Sequence, residues 1–228
     1  PVLEDALKAN NIATTRQVTE SINSYQKRFS EYDLPSVSKT NAELLYYKLS
    51  IFERLFPFYA TVGLIMLIGL ITIVIRGRKE TSLIVKILGW LLFTGFLFHT
   101  FGLGIRWYIA GHSPMSNGYE SMIFISWVTL LAGFIFSRKS AFALPATAVL
   151  ASMTLMVAHL SFMDPEITNL VPVLKSYWLT LHVSVITGSY GFLGLGAILG
   201  LITMILLLLS NDRNRERISG TIDELTVI

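Results

Sequence analysis

The sequence contains no cysteine, which excludes disulfides, thiolate metal sites and thiol catalysis within this chain. Charged side chains are also scarce, at 14% of 228 residues against about 25% in an ordinary soluble domain, and the deficit is concentrated after residue 56. The net charge of +3 comes from short basic clusters, so nothing indicates nucleic-acid binding. Phosphate loops, H-E-x-x-H, nucleophile elbows and usefully spaced carboxylate pairs are absent too.

The sequence also has no signal peptide, and its first residue is Pro1. We therefore expect an internal piece of a longer polypeptide.

Long hydrophobic runs are abundant, since 53% of the residues are hydrophobic. A helix of about 20 apolar residues crosses a bilayer. The sequence therefore predicts an all-α integral membrane protein. Its five predicted transmembrane helices are Phe58–Ile75, Leu83–Ile105, Tyr119–Phe136, Ala141–Met163 and Trp178–Leu209.

The short loops predict the orientation of these helices. The segments "RGRK" (76–79), "SRK" (137–139) and "NDRNRER" (211–217) follow the first, third and fifth spans. The positive-inside rule places them in the cytoplasm, so the N-terminus lies outside and the C-terminus is cytoplasmic. Aromatic residues at the outer ends agree with an interfacial belt: Trp107, Tyr108, Tyr177 and Trp178.

Residues 1–56 form a polar, extracytoplasmic segment in this interpretation, and residues 57–228 form the membrane domain. Helices are expected at Glu4–Ala9 and Thr14–Phe29, and a loop at Asp33–Thr40. Residues 41–56 have apolar residues at helical spacing. They predict an amphipathic helix that lies at the membrane surface or packs on a small soluble domain.

A dense polar stretch, "GHSPMSNGYES" (111–121), separates the second and third spans. Gly111 is placed to end the second helix, and turns are expected at Ser113–Pro114 and Asn117–Gly118. Because the next span begins almost at once, the loop is expected at the level of the lipid headgroups.

The four histidines all map to the predicted outer half: His99, His112, His159 and His182. Imidazole is a standard ligand of haem iron, and ionisable groups near the membrane are candidate functional groups. His182, just inside the fifth span, either meets a ligand from outside or bonds to a neighbouring helix. The same alternatives apply to His99 and His159, whereas His112 fits a solvated loop histidine.

Arg106 is an exception to the positive-inside pattern. It could bind a carboxylate of Glu120 or of a ligand, or extend to lipid phosphate. In the fifth span, Gly196 and Gly200 form a G-xxx-G pair that is typical of close helix packing; its flat surface would also admit a planar macrocycle.

Two segments resemble one known family. "GIRWYIAGHSPMSNGYESMIFISW" (104–127) and "DPEITNLVPVLKSYWLTLHVSVITGSYGFLGLGAILG" (164–200) are similar to the CcsA (ResC) family of system II cytochrome c biogenesis. Residues 1–56 resemble the tail of a CcsB-type part, as in fused CcsB–CcsA proteins. The family handles haem at the outer face of the membrane and attaches its vinyl groups to the cysteines of CxxCH in apocytochrome c.

The resemblance also implies a site. His182 matches the family histidine that precedes a tryptophan-rich "WWD" segment, and is the expected ligand of haem iron; that segment and the second histidine are absent from this sequence. The expected rim of the haem b site is Arg106, Asn117, Trp178, Tyr119 and Glu120, with His99, His159 and His112 as further candidates. Asn117, Tyr119 and Glu120 are expected to fix the loop by hydrogen bonds.

The expected activity is that of a holocytochrome c synthase of the haem lyase type, acting as part of a complete protein in the cytoplasmic membrane with its active side outward. The expected partners are apocytochrome c, the CcsB-type region, a thioredoxin-like reductant and membrane lipid, without nucleic acid. The alternatives are a haem transporter without attachment activity and a non-catalytic scaffold that recruits apocytochrome or the reductant.

Overall fold

A computed structural model describes residues 2–29, 36–77, 83–160, 163, 165–167 and 176–228. All regular secondary structure in these residues is helical, which confirms the all-α prediction. The helices are α1 (Val2–Lys8), α2 (Ile12–Phe29), α3 (Val37–Leu49), α4 (Ile51–Arg76), α5 (Leu83–Ala110), α6 (Gly118–Phe136), α7 (Ala143–Ala158), α8 (Tyr177–Leu208) and α9 (Arg215–Thr226).

The chain divides into two compact units, Pro1–Asn41 and Ala42–Ile228. In the first unit, α1 and α2 confirm the two predicted helices. None of the described residues of α2 is buried, and exposed pairs such as Arg16–Glu20 at 2.9 Å line its surface. Of the loop predicted at 33–40, residues 33–35 lie outside the described residues, and residues 37–40 are helical. The extracytoplasmic position of residues 1–56 stays a prediction.

The helix predicted at 41–56 is not continuous. Ser50 adopts a left-handed conformation (φ 43°) between α3 and α4. Ile51, Phe52 and Leu55 are then buried in the core, so residues from Ile51 onward form the first turns of a spanning helix. The amphipathic pattern did not reveal the break because serine is not a typical left-handed residue.

Four stretches of the described chain are long and apolar enough to cross a membrane: Val37–Arg76, which joins α3 and α4, Leu83–Ala110, Gly118–Phe136 and Tyr177–Leu208. They correspond to four of the five predicted spans. The second predicted span extends further than expected, because α5 continues to Ala110 and carries Arg106 in its last turns.

The remaining predicted span, Ala141–Met163, was too long. Its helix α7 has 16 residues and ends at Ala158. At 1.5 Å per residue it is about 24 Å long, less than the ~30 Å apolar core of a bilayer. Helices α4, α6 and α8 pack against it, and small buried residues such as Ala146, Ala148 and Ala151 allow close contact. Much of this apolar run is therefore buried against other helices, and α7 returns the chain from the end of α6 to segment 165–167 beside Arg106. Hydropathy alone does not distinguish such burial from exposure to lipid.

The space around the glycines of α8 shows that one face of this helix is packed and another is open. A Cβ at Gly191 would lie 2.6 Å from Thr129 Oγ1, so this glycine permits the close approach of α6. At Gly196 and Gly200 an added Cβ would meet no described atom within 4 Å. The predicted packing role of the G-xxx-G pair is thus not fulfilled by any described part of this chain, and Gly188, Gly191 and Gly194 lie at the helix contacts instead.

Candidate functional site

A buried ion pair lies at the predicted outer end of the bundle, where α5 ends and α6 begins. Arg106 Nε donates to Glu120 Oε1 over 2.8 Å, and the two side chains are 0% and 3% exposed. Buried charges require such pairing, because an isolated ion is far too costly to remove from water. Of the three partners considered for Arg106, the structure shows Glu120.

The Arg106 guanidinium also contacts two other parts of the chain. Nη1 donates to Tyr46 Oη at 3.1 Å and to the carbonyl oxygen of Pro165 at 2.8 Å, and Nη2 donates to the carbonyl oxygen of Glu166 at 3.0 Å. The guanidinium carbon lies 5.0 Å from the centroid of the Tyr119 ring. Arg106 thereby links α3, α5, α6 and the short segment 165–167 that precedes α8.

Glu120 connects this cluster to the 111–117 loop. Its second oxygen, Oε2, accepts the Ser116 backbone N–H at 2.6 Å. Asn117 is the N-cap of α6, and its Oδ1 accepts the Glu120 N–H at 2.8 Å. Gly111 ends α5 with a positive φ of 75°, as predicted, and its N–H reaches Trp107 O at 2.9 Å. The loop is therefore held at both ends.

His112 belongs to this loop network. Its Nδ1 lies 3.0 Å from Ser116 Oγ and 3.1 Å from the carbonyl oxygen of Ser113. The ring is half-buried. The structure thus places His112 in a local hydrogen-bonded turn, where the sequence predicted a solvated histidine.

His99 lies in the interior of the bundle and is 0% exposed. Its Nε2 is 3.1 Å from the carbonyl oxygen of Ile123, so Nε2 carries the proton and donates it. Nδ1 then accepts from Tyr59 Oη, at 3.4 Å. Both nitrogens are used to join α4, α5 and α6. The prediction that His99 binds haem stays a prediction, and it would require at least one of these bonds to break.

His182 is exposed on α8, and within the described residues its imidazole makes no hydrogen bond. Trp178, one turn earlier, is 74% exposed. At about 100° per residue, His182 lies about 180° around the helix from Gly191, which contacts α6. By the same geometry His182 shares its face with Gly196 and Gly200. The open face of α8 therefore carries an imidazole near its outer end and a flat glycine surface further in.

His159 is exposed, at the C-terminal cap of α7. Ser184, on the packed side of α8, bonds to the Thr180 carbonyl oxygen at 2.7 Å, and its Oγ contacts Met115 Sδ at 3.1 Å, which joins α8 to the 111–117 loop. The structure thus separates the predicted rim residues and iron ligand. Arg106, Tyr119 and Glu120 form one buried cluster with the half-buried Asn117 beside it, whereas Trp178 and His182 lie on the open face of α8.

Sequence reasoning missed Tyr46, Ser116 and the carbonyl groups of Pro165 and Glu166. Tyr46 is 60 residues before Arg106 in the sequence and lies in a helix with many exposed residues. Backbone carbonyls leave no signal in the sequence at all. Only Ser116, four residues before Glu120, was close enough for a local pattern to indicate it.

The described residues contain no group of three or more His, Asp or Glu side chains that could hold a metal ion. A cavity of about 90 Å³ lies beside Tyr46, Phe52 and Tyr119. Pockets for drug-sized ligands measure about 300–1,000 Å³, so this cavity is too small for haem. On the open face of α8, the exposed His182 imidazole and the Trp178 ring are the groups that would hold haem iron and contact the porphyrin.

Fold and site together define a multi-pass, all-α membrane protein with a buried ion pair and its hydrogen-bond partners at one end of the bundle. Comparison with known families supplies a more specific assignment. Residues 115–226 match the model of the family described as Cytochrome C assembly protein. The chain is 46% identical over 93% of its length to Protein NrfI of Wolinella succinogenes. It is 35% identical over 57% of its length to a cytochrome c biogenesis protein CcsA of Prochlorococcus marinus.

The chain therefore belongs to the CcsA family of cytochrome c assembly proteins. It spans 23% of the length of NrfI and 41% of that of the CcsA relative. A further similar protein, CcsA of Cyanophora paradoxa, is 40% identical over 42% of the chain. The matched family region contains the N-cap of α6, Glu120 and His182, whereas Arg106 precedes it.

Proposed function

We propose that this chain holds haem b at the outer face of the cytoplasmic membrane for covalent attachment to the CxxCH motif of apocytochrome c. Two of the relatives named above are cytochrome c biogenesis proteins, and the matching family model is that of a cytochrome c assembly protein, which supports this class of function. The observation that carries the proposal is the exposed imidazole of His182, without a hydrogen-bond partner in the described chain, on a face of α8 that no described element covers.

His182 would act as one axial ligand of the haem iron. Its neighbour Trp178 offers an aromatic surface for the porphyrin at interfacial depth. We propose that a second ligand comes from elsewhere in the complete protein, because both ring nitrogens of His99 are hydrogen-bonded and Nδ1 of His112 is held in its loop. Lyase activity is accordingly proposed for the complete protein and not for these residues alone.

The reaction itself conserves electrons. A cysteine S–H of the apocytochrome adds across a haem vinyl group, so that one S–C bond and one C–H bond form. Both cysteines must be reduced beforehand, which is why a thioredoxin-like reductant is a proposed partner. The CcsB-type region and membrane lipid are the other proposed partners.

A haem transporter without attachment activity is the main alternative. It would be favoured by an intramembrane haem ligand, for which His99 was the sequence candidate. In the structure His99 binds Ile123 O and Tyr59 instead, so no observation favours that alternative. A scaffold that recruits apocytochrome or the reductant predicts no bound haem.

The test is a visible absorption spectrum of the complete protein, purified in detergent, beside its His182→Gly variant. We expect a haem spectrum that is lost in the variant and returns when imidazole is added, because free imidazole can occupy the vacated ligand position. Leu207→Gly, at an exposed position near the other end of α8, is the control for glycine in this helix, and its spectrum should not change. Retention of the full spectrum in His182→Gly would refute the ligand assignment.

A further inference from the structure

The buried cluster around Arg106 contains a cation that the proposed haem site does not need as a ligand. At least four of the five N–H groups of Arg106 donate to protein atoms, and its side chain is 0% exposed. An arginine that recognises a ligand carboxylate presents two parallel N–H groups to it. Arg106 has no such free edge, so its geometry does not favour the predicted contact with haem carboxylates.

We propose that Arg106 and Glu120 are positioning residues. They fix the segment 165–167, which precedes α8 in the sequence, against α3, α5 and α6. The part of this inference that concerns haem rests on the proposed function, whereas the part that concerns segment 165–167 does not. We call the Arg106–Glu120 pair, with its bonds to Tyr46, Ser116 and the two carbonyl groups, the outer clamp.

The contacts of the outer clamp come from distant parts of the sequence. Pro165 and Glu166 are held by their carbonyl oxygens, at 2.8 and 3.0 Å, so the clamp orders backbone and not particular side chains. Ile167, the next residue, packs against the hydrophobic core and is half-buried. Polar bonds and apolar packing thus hold adjacent residues of the same short segment.

The same clamp orders the 111–117 loop on its other side. Glu120 Oε2 accepts the Ser116 N–H, and Met115 in turn contacts Ser184 of α8. Segment 165–167 and the 111–117 loop are therefore both fixed through one ion pair. His182 lies two residues before Ser184, so movement of the 111–117 loop would act on the turn of α8 that carries the proposed iron ligand.

The outer clamp requires an arginine at position 106 because of the shape of its guanidinium group. The planar guanidinium donates in several directions from one rigid group, whereas a lysine ammonium is a compact charge with three donors. Arg106→Lys keeps the charge for Glu120 but cannot reach Tyr46 and both carbonyl groups together. It is therefore the variant that weakens the clamp and leaves the buried ion pair in place.

The first experiment uses the absence of cysteine from this chain. Ile167→Cys is introduced into the complete protein, with any cysteines outside these residues replaced, and its rate of reaction with a maleimide is measured. With Arg106→Lys we expect the rate to rise at least about tenfold, because charge-assisted hydrogen bonds to the segment are lost. Arg54→Lys, at an exposed arginine, is the matched control and should leave the labelling rate at Ile167→Cys unchanged. Asp212→Cys is a remote labelling site, where Arg106→Lys should not change the rate.

Equal rates of labelling at Ile167→Cys with and without the Arg106→Lys substitution would overturn the clamp. Should Arg106→Lys fail to fold, the double variant Arg106→Gln/Glu120→Gln removes both charges together, so that no buried charge is left unpaired. The same increase in labelling is expected in that protein, and its absence would overturn the proposal equally.

The second experiment separates positioning from ligand binding. Haem and its dimethyl ester, which lacks both carboxylates, are added to the complete protein and to Arg106→Lys. A positioning role predicts the same shift of the haem absorption band and the same fold-loss of binding with both compounds. A defect that is present with haem and absent with the ester would show that Arg106 binds the carboxylates, and would refute the inference.

The two experiments distinguish failure of the proposed function from failure of the outer clamp. Absence of haem from the parent protein would refute the proposed function, while the labelling rates would still decide whether the clamp holds segment 165–167. Unchanged labelling with intact haem binding would refute the clamp and leave the proposed function standing.

Discussion

Removal of one partner of the buried ion pair should destabilise the bundle strongly. In Glu120→Ala, the Arg106 guanidinium keeps only neutral partners, namely the Tyr46 hydroxyl and two backbone carbonyl groups. The 2.8 Å contact and the exposures of 0% and 3% place this pair among those for which loss of one partner costs about 3–5 kcal/mol. The Ser116 N–H also loses its acceptor, which adds to the same change in the free energy of unfolding.

The assay is reversible unfolding of the purified protein in mixed detergent and SDS micelles, followed by circular dichroism. Arg106→Ala, Glu120→Ala and the double variant form a thermodynamic cycle. We expect the double variant to be less destabilised than the sum of the single variants by about 1–3 kcal/mol, because neither charge is left alone. Glu20→Ala, which breaks the exposed Arg16–Glu20 pair, is the matched control and should cause no measurable change.

Two results would refute this reasoning. A cost below about 1 kcal/mol for Glu120→Ala would mean that the pair behaves like a solvated surface pair. Strict additivity in the cycle would mean that the two side chains do not interact in the folded protein.

Two further predictions concern the helices that border the site. Asn117→Ala should lower the free energy of unfolding by about 0.5–2 kcal/mol in the same assay, because the Glu120 N–H loses its cap, and Asn117→Asp should restore most of it. Gly191→Ala should destabilise by about 1–3 kcal/mol through overlap with Thr129, whereas Gly196→Ala should be neutral or slightly stabilising. Equal effects of the two glycine substitutions would contradict the assignment of the packed and open faces of α8.

The sequence alone predicted the spanning helices well, because a helix in lipid must satisfy its own backbone and present apolar side chains along its length. Four predicted spans match described helices, and the local end signals at Gly111 and Asn117–Gly118 fall where α5 ends and α6 begins. The short α7 and the break at Ser50 were not predictable in this way. The first depends on which helices surround an apolar segment, and the second on a left-handed residue that the pattern does not mark.

For the candidate site, the sequence by itself determined which polar groups lie near the predicted outer end: Arg106, Asn117, Glu120 and His182. Their partners were decided by the tertiary structure. Arg106 meets Tyr46 and the carbonyls of Pro165 and Glu166 across about 60 residues of sequence. Which helix face is packed is likewise settled by neighbours, so His182 is open and His99 is enclosed. Hydropathy and capping are properties of adjacent residues, whereas an ion pair with backbone carbonyls exists only after distant segments have packed together.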